Sequence, residues 1–445
     1  MDKLPIPTPN TRIGFHYFPD TLRYRDSDLK TWLPELIALG ASWLTLTAPT
    51  GRAIPERFLR NLVEAGIEPI LHFPFSLATP PQLVDLKLLL ESYAKWGVHY
   101  VVLFDRPNAR SAWSVSTWTQ EDLVERFLDR FIPVAECALQ AGLIPVFPPL
   151  EPGGNYWDTS FLRAALKSLQ RRNQTALLER LVLSAYSWTG EHSLNWGAGG
   201  PERWPGARPY FTPDGEEDQR GLRIFDWYLA ISRAVLGEAL PILLFGAGCP
   251  WDPRQIPSTD ELPANHARDI LQITRLLNGE TIEENELEEN SPEPIPVEVL
   301  AANFWVLSTH SDSPFLSCAW FQPDGRRLPV VEDMRRWAES RVSRPKSGPR
   351  KNAGDGRPIH HYLLLPMYEW GVADWHLDII RPYIKKYQPT VGFSITEAEF
   401  AGRVTVIGGP EQFSDDALNH LRSIGCLVER INGDGISIAT LLAER

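Results

Sequence analysis

Strand-like and helix-like segments alternate along the first two-thirds of this 445-residue chain. That alternation marks βα units gathered around a parallel sheet. Short apolar runs predict strands at Arg12–Pro19, Ala41–Pro49, Ile67–Pro74, Val98–Asp105, Leu143–Glu151, Arg180–Trp188, Leu240–Gly248 and Phe315–Gln322. Between them apolar residues recur at threes and fours, as in Leu29–Ala41 and Pro81–Gly97, which predicts amphipathic helices. Several of these helices stop at a glycine just before the next strand. Eight strands, each followed by a polar loop, predict a (β/α)8 TIM barrel rather than an open sheet.

The barrel is assigned to residues 1–340 and a basic, Gly/Pro-rich linker to 341–359. A small doubly wound, Rossmann-like α/β domain is assigned to 360–445. Within it His361–Met367 reads as a strand, Trp375–Tyr387 as a helix and Arg403–Pro410 as a strand ending in glycines. Ser414 reads as the cap of a helix, and Cys426–Asn432 as a strand. Two insertions stand out. Thr189–Leu222 is long, rich in Gly, Pro and Trp, and of a length that is functional or disordered in compact domains; its aromatic content argues for order. The acidic run at 280–293 reads as a solvated surface segment.

Charge narrows the partners. A net charge of -12 disfavours nucleic acid, whose binding rests on neutralising phosphates, and disfavours an anionic membrane surface. No apolar run is long enough to span a bilayer, so no membrane insertion is expected. The amino terminus lacks an apolar signal core, which leaves a cytoplasmic protein or a mature extracytoplasmic form. Cys137, Cys249, Cys318 and Cys426 stand too far apart for metal or redox motifs. Sixteen tryptophans, many in loop-like stretches, suggest an aromatic cleft suited to sugar rings.

In a barrel the residues that follow each strand surround the active site. Strand 1 offers His16 and Tyr17, strand 3 His72, and strand 4 Asp105, Arg106 and Asn108. Strand 5 offers Glu151 and, beyond it, Tyr156, Trp157 and Asp158. Strand 6 offers Tyr186, Trp188, His192 and Trp196, strand 7 Trp251 and Asp252, and the last strand Trp320. There is no phosphate-cradling loop and no Gly-x-Ser-x-Gly elbow. His16 and His72 lack metal-ligand spacing and read as hydrogen-bonding or packing residues, so neither metal nor cofactor is expected.

Several phrases, in order, resemble clan A glycoside hydrolases, the retaining (β/α)8 enzymes. Phe104–Asn108 with Trp113 resembles their strand-4 phrase, and Val146–Asn155 the strand-5 segment. Ser184–Trp188 resembles the strand-6 end, Leu240–Cys249 the strand-7 phrase, and Ala319–Val330 the closing strand and turn. The resemblance implies a glycan ligand. It also sets the family's acid at Arg106 and its nucleophile near Gly246 or Ala247, and neither position can do that chemistry. Glu151 and Asp105 remain as relocated catalytic carboxylates. The other strand-end residues named above remain as substrate-binding candidates, with Arg106 suited to a carboxylated sugar.

The segment Arg403–Glu444 resembles a single cell-wall-binding repeat, through Val-Ile-Gly-Gly, Ser-Asp before a helix and Val-Glu-Arg-Ile-x-Gly-Asp. Three readings stay open for the chain: a glycosidase-like enzyme using Glu151 as acid, a non-catalytic carbohydrate-binding or scaffold protein, and a barrel of unrelated chemistry. Nothing in the sequence speaks to oligomeric state.

Overall fold

The computed structural model describes residues 4–190, 192–250, 262, 264–280, 294–343, 359–366, 374–387, 389–433 and 435–443. The chain divides into two compact units, Met1–Pro345 and Lys346–Arg445.

In the first unit eight strands run parallel: β1 Ile13–His16, β2 Trp43–Thr47, β3 Glu68–Phe73, β4 Tyr100–Leu103, β5 Ile144–Val146, β6 Leu183–Tyr186, β7 Ile242–Ala247 and β8 Val299–Phe304. Their order is β5-β4-β3-β2-β1-β8-β7-β6. Parallel bridges Val146–Val182 and Leu150–Ala185 join the two ends, and Phe147 N donates to Val182 O at 2.8 Å, so the sheet closes into a barrel.

Side-chain parity sorts each strand into two layers. Trp43, Ile70, Tyr100, Val102, Val146, Leu243 and Phe245 pack inside the barrel. Ile13, Phe15, Leu44, Leu71, Leu103 and Leu244 face the helices outside. At the base, Arg12 (φ 60°) ties β1 to the approach of β8. Its guanidinium donates to Leu277 O at 2.7 Å, to Val299 O at 2.6 Å and to Pro296 O.

The eighth strand is not where the sequence reading put it. β8 is Val299–Phe304, whereas Phe315–Gln322 holds a 3-10 turn at Leu316–Cys318 and a short bridging stretch. Both runs are apolar for different reasons. In β8, Asn303 turns inward, donates to Leu244 O at 3.1 Å and accepts from Thr45 Oγ1 at 3.1 Å. In the later run Trp320 is fully buried outside the barrel, its ring 4.7 Å from Phe15 and 5.7 Å from Phe304.

The second unit is a four-stranded parallel sheet of order β10-β9-β11-β12: β9 Ile359–Leu364, β10 Thr390–Gly392, β11 Ala401–Ile407 and β12 Leu427–Ile431. Apolar clusters cover both faces, one around Tyr362, Val404 and Leu418, the other around Leu363, Ile380 and Ile431. That is a doubly wound sheet. The three-residue β10 carried no apolar run for the sequence reading to find. Ser414 caps the helix Asp415–Ser423, its Oγ accepting from Ala417 N at 3.3 Å. The expected linker lies largely outside the described residues, although the helix Val330–Ser343 runs into its first positions. The acidic segment beyond Glu280 lies outside them too. Among the described residues no helix is long and apolar enough to cross a membrane.

Candidate functional site at the barrel mouth

The carboxyl end of β4 is the best-defined part of the mouth. Phe104 (φ 70°) and Arg106 (φ 48°) both adopt left-handed backbone, which side chains other than glycine rarely do. Phe104 N donates to Phe73 O at 2.9 Å and Arg106 N to Pro149 O at 3.0 Å, so neighbouring strands hold this conformation. The turn aims Arg106 across the mouth, only 5% exposed. Its Nη1 lies 3.2 Å from Glu151 Oε2 and its Nε 3.7 Å from Asp105 Oδ2. Its guanidinium carbon sits 4.2 Å from the Tyr186 ring centroid and 5.2 Å from that of Trp188.

Tyr186 and Trp188 stack at 5.0 Å, and the Tyr186 hydroxyl donates to Asp105 Oδ1 at 2.8 Å. Burial, with the Asp105 charge second, pushes the Tyr186 phenol well above its usual range and keeps it a donor. A Cβ on Gly246 would lie 2.8 Å from Trp188 Nε1, so the indole fills the space a side chain there would need. Gly246 also has φ 59°. Gly246, one of the two positions that the resemblance offered for a nucleophile, thus has no room for a side chain.

His16 accepts from Gly246 N at 3.2 Å through Nε2, which is therefore its unprotonated nitrogen. Burial, with His72 second, lowers its pKa to about 3. Trp305, at the end of β8, places its ring 4.7 Å from His16. Trp305 went unnoticed in the sequence because the eighth strand was misplaced. The Nε1 donors of Trp188 and Trp305 are buried and have no hydrogen-bond partner among the described residues. His72 Nε2 lies 3.1 Å from Phe104 O, and burial lowers its pKa despite the nearby Asp105 charge. Among the described residues no group of three or more His, Cys, Asp and Glu could hold a metal.

Several candidates sit elsewhere or do other work. Tyr17 is fully buried in the helix-facing layer against Tyr24 and Phe58, because it follows inward-facing His16 by one residue. Trp320 is likewise buried in that layer. Asn108 is spent on backbone: its Nδ2 donates to Glu151 O and Tyr156 O, both at 2.9 Å, and its Oδ1 accepts from Glu151 N at 2.8 Å. Asp158 is fully buried and accepts from Gly153 N, Gln219 Nε2 and Tyr228 OH. It therefore staples the β5 loop to the end of the insertion and to the helix Ile224–Leu236. Burial is the chief influence on its carboxyl and raises its pKa. Trp157 is buried beside Tyr210, and Tyr156 lies half-buried against Phe161. In the insertion His192 stacks on Trp196 at 3.9 Å, and Trp196 Nε1 donates to buried Asp218 at 3.2 Å. Trp251 and Asp252 lie outside the described residues.

No family model matches the chain, and no curated protein matches it. Solved structures do. A monomeric beta-xylosidase from Caulobacter crescentus CB15 aligns over 74% of this chain and 68% of its own, at 12% identity and TM-score 0.44. Xylanase 10B from Thermotoga petrophila RKU-1, in complex with xylobiose, aligns over 75% and 95%, at 11% and 0.42. A GH128 endo-beta-1,3-glucanase from Sorangium cellulosum aligns over 73% and 97%, at 12% and 0.40. At such identities the likeness concerns barrel architecture alone.

Proposed function

We propose that the barrel mouth binds a glycan and does not cleave it through Glu151 or Asp105. The observation that carries this reading is the double pairing of Arg106. Both candidate carboxylates lie against one buried guanidinium, itself set on the Tyr186 and Trp188 rings. Asp105 also accepts from the Tyr186 hydroxyl, so both acids are turned to groups of the protein itself and away from a glycosidic oxygen, which a general acid must reach. The half-buried rings of Trp188 and Trp305 suit the apolar face of a sugar. Arg106 is occupied by the protein's own acids, which argues against a uronate as its partner.

The test is reducing-end release from neutral, basic and acidic polysaccharides by wild type and Glu151→Gln, beside a binding assay on wild type and Trp188→Ala. Binding without release, weakened in Trp188→Ala, is expected. The second reading, hydrolysis by Glu151 as acid with Asp105, is favoured by Asp105 keeping about a third of its side chain exposed (32%). Release by wild type that vanishes in Glu151→Gln would establish it and overturn the first.

A further inference from the structure

The 189–222 insertion carries a turn whose chemistry the mouth does not explain. Arg208 N donates to Phe211 O at 2.9 Å and Phe211 N to Arg208 O at 3.0 Å, leaving Pro209 and Tyr210 at the tip. Proline first and a left-handed residue second make a type II turn, whose second position favours glycine. Here it is tyrosine, at φ 66°. The strained residue is not buried: Tyr210 is 62% exposed and Phe211 61%. Two large rings are thus shown to solvent on a backbone that would be more relaxed without one of them.

The turn is fixed to the rim of the mouth. Trp157 N donates to Tyr210 OH at 3.0 Å, and the two rings lie 5.5 Å apart. Trp157 belongs to the same β5 loop that carries Glu151 to Arg106. Thr212 Oγ1, just past the turn, donates at 2.7 Å to Asp218, which is 1% exposed.

We propose that Tyr210 and Phe211 form an outlying platform for the same glycan chain, stacking on sugar rings beyond those in the mouth. This rests on the glycan reading of the mouth. Aromatic rings bind the C–H face of a saccharide with little regard to its substituents, so the platform would favour long chains over short ones.

The experiment compares wild type, Tyr210→Gly, Phe211→Ala, the double variant and Trp188→Ala. Affinity electrophoresis in soluble xylan, chitosan and polygalacturonate measures polymer binding, and calorimetry measures binding of the matching disaccharides. Tyr210→Gly relieves the left-handed strain but gives up the bond from Trp157 N, so Phe211→Ala, which keeps that bond, is read beside it. The double variant should bind its polymer about tenfold more weakly and its disaccharide unchanged. Should Tyr210→Gly fail to fold, Phe211→Ala alone decides. Unchanged polymer binding by the double variant, with Trp188→Ala impaired, overturns the platform and leaves the mouth intact. No binding of any polymer by wild type overturns both. Self-association of wild type that the double variant abolishes, without change in polymer binding, marks the tip as a contact between copies and overturns the platform too.

Discussion

The Arg106 guanidinium lies 4.2 Å from the centre of the Tyr186 ring, while the Tyr186 hydroxyl donates to Asp105, the residue before that arginine. The ring and the acid therefore hold the cation from two sides, and Glu151 holds it from a third. Arg106→Met keeps the stem but takes the cation from two partly buried carboxylates. It should cost about 2–4 kcal/mol in urea unfolding. Adding Asp105→Asn and Glu151→Gln should restore most of that loss. A single variant as stable as wild type would mean that the cluster contributes nothing to the fold.

Gly246 leaves room for the Trp188 indole. Gly246→Ala puts a methyl group against the Trp188 indole on left-handed backbone and should cost about 1–3 kcal/mol. Gly246→Glu, which puts a carboxylate at one of the two positions considered for a nucleophile, should destabilise further and release no sugar. Reducing-end release by that variant would refute the view that the indole occupies the nucleophile's place.

Asp158 should matter more for the insertion than for the barrel. Asp158→Ala strands three donors, Gly153 N, Gln219 Nε2 and Tyr228 OH, and should cost about 3 kcal/mol or more. Limited proteolysis should then cut within 189–222 before it cuts the strands. Unaltered protection of the insertion would show that other contacts secure it.

At the base of the barrel His99 Nδ1 meets buried Glu68 at 2.9 Å. The hydrogen bond to Glu68 raises the pKa of His99, and burial raises that of Glu68. Both groups thus hold protons more tightly folded than unfolded. The histidine's stabilisation is complete below its ordinary value of about 6.5 and is lost as pH rises through its higher folded value. The glutamate's elevated pKa slopes the same way above about 4.5. The Tm advantage of wild type over a Glu68→Gln, His99→Gln double variant should therefore shrink as pH rises above about 6.5. An advantage that grows with pH would contradict this.

The barrel was legible because its strands are local patterns: β3, β4 and β7 are short apolar runs bounded by polar or glycine residues. β8 was missed because its inward Asn303 interrupts the apolar pattern, while the Trp320 run, packed on the outside, imitates a strand. Parity could have set Tyr17 aside, since inward His16 commits its neighbour to the helices. The site's central fact was out of reach. Arg106 and Glu151 are 45 residues apart, and no spacing rule tells whether an arginine at a strand end turns to a ligand or to the protein's own acid. Asn108 reads as a sugar ligand in sequence and serves as a backbone clamp in space, for the same reason.

Arg12 has a consequence for how the chain is made. Its guanidinium bonds to a carbonyl 287 residues downstream. A ribosome adding roughly 5–20 residues per second needs roughly 15–60 s to supply that partner. Through that interval β1 has β2 on one side and an open edge on the other, beside a desolvation-prone cation whose acceptors do not yet exist. The nascent barrel is therefore exposed to strand-edge association for most of its synthesis, and a chaperone that shields the first βα units would act on this chain before its last strand emerges.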